Sequence, residues 1–203
     1  GVTLRPHMKT GKCIAVARAV FGGGVGPITV STLSEAEHFA AAGFDDILYA
    51  VGIAPAKFER AARLAAQGVR LGVILDSREV ATALALFCGE RGVRLPAMIE
   101  LDTDGHRSGL RPQDQAVVAI AGELDAAGLF AGVMTHAGES YNATSVAGIT
   151  AISEQERAGA VAAADAIRAA GIAVPCVSVG STPTMVHGGS RAGVTEVRAG
   201  VYM

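Results

Sequence analysis

The sequence predicts one α/β domain built as a closed (β/α)8 barrel of the TIM type, and two observations lead to this prediction. Short apolar or β-branched runs alternate along the chain with alanine-rich amphipathic runs, which is the order of repeated β-α-β units around a parallel sheet. Glycine, which readily takes the left-handed conformation at a helix end, follows many of the alanine-rich runs. The glycines in this position are Gly43, Gly68, Gly92, Gly128 and Gly171.

The strands are predicted in chain order from these apolar runs. Their bounds are 4–9, 28–31, 46–49, 71–75, 97–102, 130–135, 176–179 and 196–202. Two helix starts are predicted from capping boxes, Thr32 with Glu35 and Ser153 with Glu156, in which a hydroxyl and a carboxylate bind free amides. An open doubly wound sheet is the alternative to a barrel, because the sequence alone does not show whether the first and last strands meet.

Composition excludes several classes of partner. The formal net charge is −2, aromatic residues make up 4% and tryptophan is absent, so no nucleic-acid-binding surface is indicated. No apolar stretch is long enough for a membrane span. Cys13, Cys88 and Cys176 are widely spaced, which predicts reduced thiols in the cytoplasm. The chain lacks an initiating Met, and we expect it to be part of a longer protein.

Polar residues gather where the predicted strands end, the edge at which such barrels carry their chemistry. Lys9 ends the first strand, and the other lysines are Lys12 and Lys57. Alternation along the first strand places Arg5, His7 and Lys9 on one face, which we assign to the barrel interior. Repulsion among these cations would lower the pKa of Lys9 and favour a nucleophilic amine. A solvated lysine at a strand end is the alternative.

Small residues also follow the last two predicted strands. Gly180, Ser181 and Thr182 come after the seventh strand and Gly200 lies in the eighth, where barrels of this kind bind phosphate groups. Arg107, in the loop after the fifth strand, is interpreted as a contact to an anionic oxygen of a ligand, with a solvated loop arginine as the alternative.

His136 follows the sixth strand, and spacing leaves three roles open: a core histidine, a metal ligand or a partner of an aromatic ring. His7, Glu100, Asp102 and His136 could together form a metal site, and a metal-dependent barrel hydrolase that uses His7, Asp102 and His136 is the corresponding functional hypothesis. No close-spaced pair of ligands supports this weaker hypothesis.

The strand-end segments resemble a known family when they are taken together. The matching segments are 5–12, 100–109, 135–141, 177–184 and 196–202. They resemble the D-serine dehydratases and D-threonine aldolases, fold-type III pyridoxal-phosphate enzymes whose barrel is of the alanine racemase N-terminal type. Gly11 stands where the family usually has His, and Ala199 stands where it usually has Pro. The resemblance implies the same barrel over residues 1–203.

The resemblance also implies a role for each site residue. Lys9 would hold pyridoxal 5'-phosphate as a Schiff base, and Arg107 would contact its phenolic oxygen. His136 would lie against the pyridine ring, and Tyr141 would approach the ring or its nitrogen. The residues expected to bind the phosphate are Gly180, Ser181, Thr182, Gly200 and Val201.

The activity implied is that of a lyase acting on D-β-hydroxy amino acids, either as a dehydratase or as an aldolase. A racemase of the same fold and a non-catalytic carrier of pyridoxal phosphate are the alternatives. Family members carry a C-terminal β domain that supplies divalent metal, so the chain is expected to be a barrel fragment without its own metal site. The resemblance further implies a small-molecule D-amino acid substrate and a homodimer.

Overall fold

The computed structural model describes residues 1–201 and contains a parallel sheet of eight strands alternating with helices. The strands are β1 Thr3–Leu4, β2 Ile28–Val30, β3 Asp46–Gly52, β4 Arg70–Leu75, β5 Ala97–Leu101, β6 Phe130–Thr135, β7 Val177–Val179 and β8 Glu196–Val197. The α-helices are α1 Ile14–Val20, α2 Leu33–Ala41, α3 Phe58–Ala66, α4 Arg78–Arg91, α5 Gln115–Ala126, α6 Val146–Ala169 and α7 Thr182–His187. Short 3-10 helices cover Pro55–Lys57 and Gly138–Tyr141.

The sheet closes on itself. Its strands follow the order β1-β8-β7-β6-β5-β4-β3-β2, which leaves β1 and β2 at the two ends. An isolated parallel bridge between His7 and Thr29 joins these ends. The Met8 amide donates to the Thr29 carbonyl at 2.8 Å, and the Thr29 amide donates to the Pro6 carbonyl at 2.9 Å. The predicted barrel is therefore confirmed, and the open-sheet alternative is wrong.

Period-two alternation along the strands separates two apolar regions. In β3, Ile47 and Tyr49 belong to the main core between the sheet and the helices, whereas Leu48 joins a small cluster on the other face. That inner cluster also contains Ile74 and Met98. Apolar side chains fill this part of the barrel interior, so the polar residues of the interior lie near its two mouths.

The five glycines expected at helix ends all have positive φ, between 60° and 90°. This confirms the helix boundaries that they predicted. Thr32 caps α2 as expected, since its hydroxyl accepts from the Glu35 amide at 3.0 Å. The Glu35 carboxylate, however, accepts from the Ser31 amide at 2.7 Å. In the predicted capping box it would bind the amide of Thr32, the next residue.

The second predicted capping box is wrong. Helix α6 begins after Ser145, whose hydroxyl accepts from the Gly148 amide at 3.1 Å, so Ser153 and Glu156 lie inside the helix. The eighth strand is also shorter than predicted, and Tyr202, in its expected range 196–202, lies outside the described residues. No helix within residues 1–201 has the length and hydropathy needed to cross a membrane.

Candidate active site at the carboxyl ends of the strands

Lys9 lies just beyond the bridge that closes the barrel, at the carboxyl-end mouth. Its Nζ has no hydrogen-bond or ion-pair partner within residues 1–201. Burial lowers the pKa of Lys9 below its ordinary value, and the positive charges of Arg107 and Arg198 lower it further. A larger fraction of this amine is therefore neutral and nucleophilic at a given pH than for a solvated lysine.

The predicted direction of the Lys9 pKa is confirmed, but the predicted cause is wrong. Arg5 is neutralised at the opposite mouth, where its guanidinium lies 2.6 Å from Glu196 and 2.7 Å from Asp46. Burial alone would lower the pKa of Arg5, but these two carboxylates raise it. Burial, followed by the charges of Lys9 and Arg198, lowers the pKa of His7 to about 3, so His7 carries no charge at neutral pH.

Arg198 was assigned no role from the sequence, although it lies in a segment that carries the family resemblance. Its side chain is buried, and its guanidinium donates to the Ser178 hydroxyl and to the Thr135 carbonyl. The Ser178 hydroxyl in turn donates to Glu196 at 2.6 Å. A lone arginine between apolar residues in the predicted eighth strand was the signal for it, because a charge there has to be paired inside the barrel.

Two adjacent cavities define the site. The larger, of about 120 Å³, is lined by His7, Lys9, Ser31, Ala50, Val51, Glu100, Arg107, Met134, His136 and Arg198. The smaller, of about 20 Å³, is lined by His7, Lys9, His136, Tyr141, Gly180, Ser181, Arg198, Ala199 and Gly200. The two share Lys9, His136, His7 and Arg198, so the structure brings the predicted aldehyde-binding amine and the predicted ring-binding residues to one place.

His136 is held as a neutral ring of defined tautomer. Its Nδ1 lies 2.6 Å from the Gly180 carbonyl oxygen, which can only accept, so Nδ1 carries the proton and Nε2 is an acceptor. Burial lowers the pKa of His136 to about 4, although the bond to Gly180 opposes that shift. The ring centroid lies 6.2 Å from that of Tyr141, and the two ring planes are tilted by 37°.

The residues predicted to bind phosphate converge after β7 and β8. The amides of Gly200 and Val201 donate to the Thr182 hydroxyl at 3.1 Å and 2.9 Å, and the Thr182 amide donates to the Tyr141 hydroxyl at 3.4 Å. Ser181 is different, because its side chain is buried and its hydroxyl is bonded to those of Ser140 and Thr184. The Ser181 hydroxyl could therefore contact a phosphate, as predicted, only by giving up a hydrogen bond to Ser140 or Thr184.

The acidic residues near the site are not grouped for metal binding. Among residues 1–201, no group of three or more His, Cys, Asp or Glu side chains could hold a metal ion. Asp102 instead accepts from the Gly105 amide at 2.7 Å and stabilises its own loop. Glu100 lines the larger cavity, and burial raises its pKa. The geometry therefore does not support the hydrolase hypothesis built on His7, Asp102 and His136.

A prediction about acid sensitivity follows from the partly buried imidazoles of His7 and His136. The unfolded chain protonates His7 and His136 near the ordinary pKa of 6.5, whereas the folded pKa values are about 3 and about 4. The unfolded state thus binds more protons below pH 6.5, and folding stability falls as the pH falls, by up to about 1.4 kcal/mol per pH unit for each histidine. Urea unfolding at about pH 7.5 and about pH 5 measures the loss, which we expect to be smaller in His136→Gln. Equal losses in the wild type and the variant would contradict the prediction.

A parallel (β/α)8 barrel with a strand-end lysine flanked by arginines places this chain in the class of alanine-racemase-like barrels. The profile of the family described as "Alanine racemase, N-terminal domain" matches residues 1–203, and the chain belongs to that family. This confirms the barrel type and the family resemblance predicted from the sequence.

Comparison with curated relatives and solved structures supports the same family. The chain is 50% identical to D-threo-3-hydroxyaspartate dehydratase of Delftia sp. (strain HT23), over 100% of this chain and 54% of that enzyme, and superposes on its structure with a TM-score of 0.96. It is 31% identical to D-serine dehydratase of Dictyostelium discoideum, over 100% of this chain and 55% of that enzyme. The D-threonine aldolase structure from Filomicrobium marinum, 27% identical, has a TM-score of 0.88 over 99% of this chain and 54% of that one. The chain thus spans about half the length of these relatives.

The site residues fit pyridoxal phosphate. The Lys9 amine has no partner within the described residues, and the Gly200 and Val201 amides converge on one hydroxyl that a phosphate oxygen could replace. A methyl group on Gly200 would lie 3.2 Å from His7 Cβ and 3.6 Å from Lys9 Cε, so a larger residue there would crowd the cradle. The amine, the amide donors and the cations Arg107 and Arg198 are the partners that an anionic aldehyde requires.

Proposed function

We propose that this barrel belongs to a pyridoxal-phosphate-dependent lyase that acts on D-β-hydroxy amino acids, with D-threo-3-hydroxyaspartate as its substrate and dehydration as its reaction. The observation that carries the proposal is the Lys9 amine, which has no partner within residues 1–201 and whose pKa is lowered by burial, Arg107 and Arg198. The 50% identity to D-threo-3-hydroxyaspartate dehydratase over the whole chain supports this choice of substrate.

The cofactor, when bound, supplies an electron-withdrawing ring that weakens the bonds at the substrate α-carbon. Lys9 would hold the cofactor covalently through Nζ and, as a free amine, would accept a proton at Nζ. Arg107 would pair with an anionic oxygen on the bound ligand. His136 would orient that ligand rather than move a proton, because its lowered pKa of about 4 makes it a weak base.

The charge of the larger cavity supports an acidic substrate. Lys9, Arg107 and Arg198 line it together with a single carboxylic acid, Glu100, whose pKa is raised by burial. Three basic groups facing one acid favour a ligand with several negative charges, such as a cofactor phosphate combined with a dicarboxylic amino acid. A D-serine or D-threonine side chain would leave part of this positive charge without a partner.

The expected result with the full-length protein loaded with pyridoxal phosphate is release of ammonia and a 2-oxo acid from D-threo-3-hydroxyaspartate. D-Serine and D-threonine should be used at least about 10-fold less efficiently, because they lack the second carboxylate. Ammonia release, aldehyde release and chiral chromatography of the remaining substrate distinguish the possible reactions. An aldehyde with glycine would indicate an aldolase, interconversion of enantiomers would indicate a racemase, and binding without turnover would indicate a carrier.

The proposal extends to the assembly and to the ions that the resemblance implies. We propose a cytoplasmic homodimer whose divalent metal is held by residues other than 1–201. Sedimentation of the full-length protein tests the dimer. Activity before and after chelation, followed by addition of a divalent cation, tests the metal.

A further inference from the structure

Glu156 is a buried carboxylate in the middle of α6, with 1% of its surface exposed. Its Oε1 accepts from the amides of Ala137 at 2.8 Å and Gly180 at 3.0 Å. Its Oε2 accepts from the Thr184 hydroxyl at 2.9 Å. Burial raises the pKa of Glu156, while these three donors favour the ionised form. A helix residue on the outside of the barrel thus binds two different strand-end loops.

The groups that Glu156 binds lie directly next to predicted cofactor contacts. Ala137 follows His136, and the carbonyl of Gly180 accepts from His136 Nδ1 at 2.6 Å. The two amides on Oε1 therefore fix both ends of the hydrogen bond that sets the tautomer of His136. If either loop moved, this imidazole would lose its acceptor.

The third donor links Glu156 to the phosphate cradle. Thr184 forms a reciprocal capping box with Ser181 at the start of α7. Thr182, which follows Ser181 in the chain, accepts from the Gly200 and Val201 amides through its hydroxyl. The bond from Thr184 to Glu156 thus orients the turn that presents the cradle. One carboxylate connects the ring-binding side of the site to its phosphate-binding side.

We propose that Glu156 is a positioning residue that fixes His136 and the amide cradle after β7 and β8 relative to each other, an inference that rests on the proposed function. Its effect comes from accepting three hydrogen bonds with one side chain. A neutral amide in the same place can accept from both backbone amides and donate to the Thr184 hydroxyl, which is able to accept. Glu156→Gln should therefore keep the geometry, whereas Glu156→Ala should release both loops.

The first measurement uses the protein without cofactor. Long-range 1H–15N spectra of histidine-labelled protein report the tautomer of His136, assigned with His136→Gln. We expect the Nδ1-protonated form in wild type and Glu156→Gln, and a mixture of tautomers in Glu156→Ala. Ile120→Ala is the matched control, because Ile120 is fully buried in α5 and its truncation destabilises the fold without touching either loop.

The second measurement is the dissociation constant for pyridoxal phosphate. All variants are measured at one temperature that lies below the midpoint of unfolding of each. Glu156→Ala should bind at least about 10-fold more weakly than Ile120→Ala, since two loops must be ordered on binding. Glu156→Gln should stay within about 3-fold of wild type.

Three outcomes would overturn the positioning role: an unchanged tautomer in Glu156→Ala, an affinity equal to that of Ile120→Ala, or equal losses in the Gln and Ala variants. If Glu156→Ala does not fold, Thr184→Val and its control Thr184→Ser replace it. Thr184→Val, which lacks the hydroxyl, should then bind the cofactor more weakly, whereas Thr184→Ser, which keeps the hydroxyl, should bind it like the wild type. If the wild type binds no pyridoxal phosphate, the proposed function fails, while the tautomer measurement still decides the role of Glu156.

Discussion

Replacing Lys9 by arginine is expected to abolish covalent attachment of pyridoxal phosphate and to lower lyase activity by at least about 10³-fold. Arginine keeps the positive charge but cannot form a carbon–nitrogen double bond with an aldehyde or act as a base near neutral pH. The amine of Lys9 is suited to both tasks, since burial and the charges of Arg107 and Arg198 lower its pKa. Borohydride reduction followed by peptide mass spectrometry identifies the modified lysine, and ammonia release measures the activity.

Lys12→Arg is the matched control. The Lys12 amine lies 3.1 Å from Glu35, and 61% of its side chain is exposed, so its charge is already paired outside the cavity. Arginine can keep this ion pair, and we expect the variant to bind the cofactor and turn over substrate like the wild type. A label on Lys12 in the wild type, or a label that persists in Lys9→Arg, would show that Lys9 is not the attachment site.

Arg198→Met is expected to lower the free energy of unfolding by about 2–5 kcal/mol, because each of two buried polar groups left without its donor costs about 1–3 kcal/mol. The guanidinium of Arg198 is buried, and burial lowers its pKa, while the negative charges of Glu196 and Glu156 oppose that shift. Methionine fills much of the space but leaves the Ser178 hydroxyl and the Thr135 carbonyl without their donor. Urea unfolding of the variant and the wild type measures the difference.

The control for that loss is Arg168→Met. Arg168 forms an exposed pair with Asp165 at 2.9 Å within α6, and pairs of this kind contribute about 0.3–0.5 kcal/mol. The two arginine variants therefore remove the same chemical group from a buried and an exposed position. Similar losses in both would show that the Arg198 charge is not a structural element of the barrel.

Local patterns were sufficient for the helix ends but for only one of the two predicted helix starts, the one at Thr32. Gly43 and Gly171 each follow a helix and have positive φ. Glycine takes this left-handed conformation readily because it has no side chain, so the position can be predicted from the residue type alone. Ser153 and Glu156 have the spacing of a capping box, yet both lie inside α6. Glu156 binds amides from other loops, and no rule of local spacing could identify those partners.

The site was predicted in position but not in its electrostatics. The sequence placed Lys9, Arg107 and His136 at the strand ends, and the structure brings them to one pair of adjacent cavities. The repulsion expected from Arg5 does not occur, because Asp46 and Glu196, remote in sequence, neutralise it. Long-range ion pairs of this kind are absent from any pattern read along the chain.

By itself the sequence determined the barrel, the order of its elements and the identity of Lys9 as the candidate nucleophile. Alternation, glycine at helix ends and residue chemistry are local properties, and the strand-end motifs carry the family. Only the tertiary structure decided how the charge is distributed: Arg198 lies beneath the site, Arg5 is neutralised at the far mouth and Glu156 joins two loops. The physical reason is that burial and Coulomb forces depend on distances in space, and closing the barrel sets those distances.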